Sequence, residues 1–104
     1  MVNRWRGDVA LTVEGKHCIA RLTLGALAEL EDGLGETSLV GLVERFEASR
    51  FSSRDVVALL GAALRGGGAE ITDSEVAHSR IEGGPLAAAK AAAELLARAF
   101  VVPE

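Results

Sequence analysis

The sequence predicts an α+β fold that is mostly α: an N-terminal β-hairpin followed by about five helices, in the order ββααααα. Three observations carry this. Residues 8–13 and 16–22 alternate apolar and polar side chains with the period of two expected of half-buried strands, and Glu14-Gly15 lies between them. From Leu24 onward the apolar residues recur every three or four positions, the period of amphipathic helices. Glycine joints and helix-capping residues then divide the remainder into helix-sized pieces.

The hairpin spans about residues 7–23. Val9, Leu11 and Val13 share one face of its first strand, and Ala10 and Thr12 share the other. In the second strand Cys18, Ala20 and Leu22 oppose His17, Ile19 and Arg21. Gly15 supplies the positive φ that a tight turn requires. Thr23 then caps a first helix whose expected face is Leu24, Leu27, Leu30 and Leu34, with Gly35 as its stop. Thr37 or Ser38 caps a second helix, with Leu39, Leu42, Val43 and Phe46 inward. The chain breaks at Ala48 to Phe51. Ser52 starts a third helix, with Asp55 in the position of a capping-box partner and Val56, Leu59, Leu60, Ala63 and Leu64 buried. Gly66-Gly67-Gly68 ends it. Thr72 and Glu75 form a second capping box, opening a short helix from about Asp73 to Arg80. Gly83-Gly84-Pro85 opens the last helix, expected to run to Phe100 with Leu86, Ala89, Ala93, Leu96 and Phe100 inward.

One domain covers residues 1–104, with the hairpin at about 7–23 and the helical body at about 24–101. A chain of 104 residues buries roughly 60–70% of its unfolded surface, enough for a core without disulfides or metal. That core is aliphatic, since Trp5, Phe46, Phe51 and Phe100 are the only aromatic residues. The single cysteine, Cys18, fits a reducing, cytoplasmic setting. The longest apolar stretch, Leu86 to Val102, is interrupted by Lys90, Glu94 and Arg98, so it reads as an amphipathic helix and not as a membrane span. The net charge of −4 disfavours nucleic acid, whose binders need cations to displace the phosphate counterions.

Candidate chemistry is sparse. His17 and His78 lack the converging ligands of a metal site. Cys18 sits mid-strand among apolar neighbours, without the helix N-terminus or cationic partner that activates a thiol. Gly66-Gly67-Gly68 is not followed by the Lys-Ser/Thr of a phosphate loop. Glu29, Glu31, Asp32 and Glu36 have helical spacing, which suits a solvated face better than a calcium loop. The second and third helices imitate a DNA-binding helix-turn-helix, but the recognition helix would offer Arg54 and Arg65 and little else. No catalytic residues, cofactor or metal ligands are expected.

Two features point to protein contacts instead. Arg4-Trp5-Arg6 places an aromatic ring between two cations, a composition enriched at interface hot spots. A lone hairpin is marginal in water, so its apolar face must lie on the helices. Its outer edges then present unpaired backbone groups unless a helix or loop covers them. The candidate interface is therefore Arg4, Trp5, Arg6, Val9, Leu11, Val13, Ile19 and Arg21, serving self-association or the docking of a partner strand.

Several segments are similar to a known family. They are Asn3-Arg-Trp-Arg-Gly-Asp-Val9, Glu14-Gly15-Lys16, Leu22-Thr-Leu-Gly-Ala-Leu-Ala-Glu-Leu-Glu-Asp32, Arg50-Phe-Ser-Ser-Arg-Asp55, Leu60-Gly-Ala-Ala-Leu-Arg-Gly-Gly-Gly68, Thr72-Asp-Ser-Glu-Val76 and Glu82-Gly-Gly-Pro-Leu86. Together they resemble small proteins encoded in the tail-gene clusters of gene transfer agents and related prophages. That family has been described both as a tail tube protein and as a tail assembly chaperone. The chaperone role implies a homo-oligomer that coats the helical tape-measure protein until the tube polymerises around it. The tube role implies a structural tail tube or tail-completion subunit incorporated in the particle. Tube subunits resemble β-barrels that close into rings, which needs many strands; a chain expected to have two strands and about five helices is closer to the chaperones. A small DNA-binding regulator is the least favoured alternative.

Overall fold

The computed structural model describes residues 7–34 and 39–99. Two strands, β1 (Val9–Val13) and β2 (Lys16–Ala20), form an antiparallel hairpin. Five helices follow: α1 (Leu24–Leu34), α2 (Leu39–Glu47), α3 (Ser53–Gly66), α4 (Asp73–His78) and α5 (Gly84–Ala99). The order and type of every element match the sequence pattern. The positions proposed to stop the first helix and cap the second, Gly35, Thr37 and Ser38, lie outside the described residues, as does Phe100.

Glu14 (φ 51°) and Gly15 (φ 77°) both take left-handed dihedrals, the two-residue turn whose twist matches that of paired strands. Val9 then faces Ala20 and Leu11 faces Cys18. Val9, Leu11, Val13 and Ala20 are buried, while Ala10 and His17 face outward and exposed. Cys18 is half-buried and packs against the core. The second strand stops at Ala20, short of the expected Leu22. Arg21 leaves the ladder because its N–H donates to the Ala63 carbonyl at the end of α3 (2.8 Å).

α3 is the central element and packs against α1, α4, α5 and β2. The Ser52 hydroxyl accepts from the Asp55 N–H, and the Asp55 carboxylate accepts from the Ser52 N–H, completing the capping box. Leu59, Leu60, Ala63 and Leu64 are buried as their spacing predicts, and Val56 is half-buried. Gly61 and Ala62 are buried too, so the second half of the helix is enclosed nearly all round. Each fully buried leucine here stabilises the fold by roughly 2 kcal/mol. Gly66 and Gly67 are required for closeness. A Cβ on Gly66 would collide with the Arg21 carbonyl, and one on Gly67 with the Ile19 carbonyl. Gly67 has an ordinary φ of −85°, so backbone proximity, not dihedral freedom, selects glycine there.

Three helical expectations need correction. In α1, Thr23 caps as expected, its hydroxyl accepting from the Ala26 N–H (3.0 Å). The buried stripe, however, is Ala26 and Leu30, with Leu27 half-buried, and Leu24 is 85% exposed. Small Ala26 packs beside Gly66, which turns the start of the helix so that Leu24 points outward. The fourth helix ends at His78 instead of Arg80, because Ser79 turns extended (ψ 152°) and residues 80–82 pair with β1. In α5 the inner face is Ala88, Ala91, Ala92, Leu95 and Leu96, while Leu86 is 75% exposed, Ala93 is exposed and Ala89 is half-buried. A helix this rich in alanine has several equivalent small-residue stripes, and only the neighbours it meets select one. Its first residue, Gly84, has φ +71°, so Pro85 opens the helical dihedrals where a missing N–H costs nothing.

Candidate protein-interaction surface

The candidate interface residues divide into three groups. Arg4, Trp5 and Arg6 lie outside the described residues. Val9, Leu11 and Val13 are 5–7% exposed and belong to the subunit's own core, where the hairpin's apolar face lies on the helices. Ile19 is half-buried, with its carbonyl against Gly67. Arg21 makes a bidentate ion pair with Asp8, Nε to Oδ1 at 2.6 Å and Nη2 to Oδ2 at 2.8 Å.

The hairpin edges are covered in part by the chain's own backbone. On the β1 side the Glu14 N–H donates to the Arg80 carbonyl (2.8 Å) and the Glu82 N–H to the Thr12 carbonyl (3.0 Å). Val13 and Ile81 thereby form an antiparallel bridge. On the β2 side the glycines ending α3 lie against the Ile19 and Arg21 carbonyls.

Asp8 organises the base of the hairpin. It is fully buried, its carboxylate holds Arg21, and its carbonyl accepts from Arg98 Nη1 on α5. Arg98 Nη2 also donates to Glu94 (2.7 Å). The hydrogen bond to Asp8 raises the Arg21 guanidinium above its ordinary value, against a smaller opposing effect of burial. No sequence pattern flagged this cluster, since Asp8 and Arg98 are 90 residues apart. A second joint ties α2 to α3. Arg45 pairs with Asp55 (Nη2 to Oδ1, 2.9 Å), and the Phe46 and Phe51 rings stack at 4.5 Å. Burial pushes the Asp55 carboxyl up, but the Ser52 N–H and Arg45 outweigh it and hold the group below the usual carboxylate range.

Between α1, α3 and α4 lies an open groove of about 310 Å³, lined by Glu29, Leu30, Asp32, Ala58, Ala62, Arg65 and Asp73. Arg65 crosses it, pairing with Glu29 and with Asp73 (3.0 Å) and donating to the Ile71 carbonyl (2.8 Å). Burial lowers the Arg65 value, yet the hydrogen bonds to Glu29 and Asp73 leave it raised. Of the acidic run, Glu29, Glu31 and Asp32 are exposed and Glu36 lies outside the described residues. With Arg65 occupied, Arg54 is the remaining arginine of the imitated recognition helix. His17 meets Thr12 across the hairpin (3.2 Å), and His78 meets the Ser74 carbonyl (2.8 Å). Among the described residues no three His, Cys, Asp or Glu side chains converge on a metal-sized space. Nor is any helix there long and apolar enough to cross a membrane.

Residues 6–101 match the model of the family described as "Phage tail tube protein, GTA-gp10". The chain belongs to that family, in agreement with the resemblance read from its sequence. No curated protein and no solved structure matches it.

Proposed function

We propose that this member of a gene-transfer-agent tail family builds the tail of a phage-like particle through contacts with other tail proteins, without catalysis. The family description supports most directly a tail tube or tail-completion subunit that stays in the finished particle. The fold favours a second role within the same process, that of a tail assembly chaperone: an oligomer, resident in the cytoplasm, that binds the tape-measure protein and leaves as the tube closes. One observation carries this second role. The described residues contain a single two-stranded sheet whose β1 border is occupied by the chain's own residues 80–82, a poor starting point for a ring closed by strand pairing. The absence of catalysis is supported by the ionic groups themselves. Arg21, Arg45, Arg65 and Arg98 each hold an acidic side chain in an ion pair, an arrangement suited to holding elements together.

Quantitative mass spectrometry of purified particles separates the two roles. A chain present in tube-like stoichiometry supports the retained subunit. A chain absent from particles but recovered with the tape-measure protein on co-expression supports the assembly factor, and failure of both measurements sinks the proposal. Arg4, Trp5 and Arg6 are the proposed clamp on the partner. Trp5→Ala is expected to weaken that recovery while leaving the circular dichroism spectrum unchanged.

A further inference from the structure

The border of β1 is protected in an unusual way. Strand edges in soluble proteins commonly carry a charge, a proline or a bulge that discourages pairing with another chain. From Val9 to Val13 the strand reads Val-Ala-Leu-Thr-Val and carries none of these. Its cover is the short strap at residues 80–82. Two backbone hydrogen bonds, at Glu14 and Thr12, join the strap to β1, the Gly84 N–H donates to the Ile81 carbonyl (2.8 Å), and the half-buried Ile81 side chain packs against the core. Gly83 (φ +87°) joins it to Gly84 (φ +71°), the first residue of α5, so two residues with the widest dihedral freedom lie at this junction.

The strap also covers only part of the border. Because the Thr12 carbonyl points outward to Glu82, the alternation of an antiparallel ladder turns the N–H and C=O of Ala10 outward as well. No hydrogen bond reaches those groups from the described residues.

We propose that the strap is a displaceable gate, and that the β1 edge of a second copy of this chain takes its place. Two β1 strands related by a twofold axis at Leu11 place Ala10 of each copy opposite Thr12 of the other. All four outward peptide groups of each strand are then paired, and the Asp8 carbonyl held by Arg98 is undisturbed. The pairing brings small, uncharged Ala10 and Thr12 side chains together; beyond them Asp8, paired with Arg21, lies toward Glu14 in the turn of the other copy. A closed, isologous dimer with a four-stranded sheet results. Such a dimer uses the β1 border of both copies, so it leaves no border on that side from which a ring could grow.

Sedimentation velocity across a concentration series tests it. Ile81→Ser loosens the strap and is expected to dimerise at a concentration at least ~tenfold below that of the unaltered chain. Val13→Cys with Ile81→Cys, in a Cys18→Ala background, locks the strap when oxidised and is expected to stay monomeric until reduced. Ala10→Pro added to Ile81→Ser removes an outward N–H at an edge position that tolerates proline and is expected to abolish the dimer. A folded Ile81→Ser protein that remains monomeric, or a dimer that survives the lock or the proline, overturns the proposal. Hydrogen exchange on the unaltered chain supplies a check that needs no variant. The Glu14 and Glu82 amides are expected to exchange at least ~tenfold faster than those of Leu11 and Cys18, and equal protection also overturns it.

Discussion

Asp8 and Asp73 both face an arginine, but the two sites have opposite settings. The Asp8 side chain is 0% exposed and its partner Arg21 is 25% exposed. Asp73 and Glu29, which share Arg65, are 49% and 48% exposed. A buried carboxylate has given up its water and relies wholly on protein partners, so removing one partner leaves an uncompensated group. Exposed carboxylates keep their water and lose little when a pair breaks. The hairpin base is therefore a folding joint. The acidic groove between α1, α3 and α4 is a surface on which charge can change at small cost to the fold.

The sharpest test of this contrast begins beside the buried joint. Gly67→Ala drives a methyl into the Ile19 carbonyl where α3 meets β2, and the clash involves backbone on both sides. A loss of about 3 kcal/mol is expected in urea unfolding, and a loss below 1 kcal/mol would mean the two elements slide apart freely. Asp8→Ala ranks next. It strips Arg21 of its partner, and Tm is expected to fall by roughly 10 °C or more. A fall as small as that of a groove variant would erase the distinction between the two sites.

Asp55 lies between the extremes, buried but paired with a half-exposed Arg45. Asp55→Asn is expected to cost about 2 kcal/mol at neutral pH through weakened hydrogen bonds from Ser52 and Arg45. The folded chain holds this carboxyl below its unfolded value of about 3.9, so its contribution is fully present above that pH. As the pH drops, the unfolded chain takes up the proton first, and the contribution disappears as the folded group titrates. Urea midpoints measured from pH 6 to pH 2 should therefore fall less steeply below about pH 4 in Asp55→Asn than in the unaltered chain. The smallest effect belongs to Glu29→Gln, expected within about 0.5 kcal/mol. A larger loss would make the groove a structural joint after all.

These sites also mark how far the sequence could be read. Both capping boxes, Ser52 with Asp55 and Thr72 with Glu75, were legible because a cap is made within four residues. The hairpin was legible because Val9, Leu11 and Val13 alternate around a turn that needs Gly15. By contrast, the roles of Asp8, Arg98 and Arg65 depend on residues distant in the chain, and nothing local distinguishes them from solvated charges. In the candidate interface, Val9, Leu11 and Val13 belong to the apolar face that the helices cover, and the cover over their edge comes from residues 80–82, the first of which the local pattern places in the fourth helix. The inward face of α5 is ambiguous for a related reason: Lys90, Glu94 and Arg98 mark one polar stripe, but alanines over the rest of the helix leave its inner stripe undirected.

The sequence by itself determined the number, order and type of the elements, because turns, caps and hydrophobic periods are set by neighbours a few bonds away. It also carried the family, through segments spread along the chain. Tertiary structure alone decided which stripe of α1 and α5 turns inward, which carboxylate loses its water, and what covers the edge of β1. Those outcomes depend on contacts between segments tens of residues apart, whose energies exist only after the chain has closed on itself.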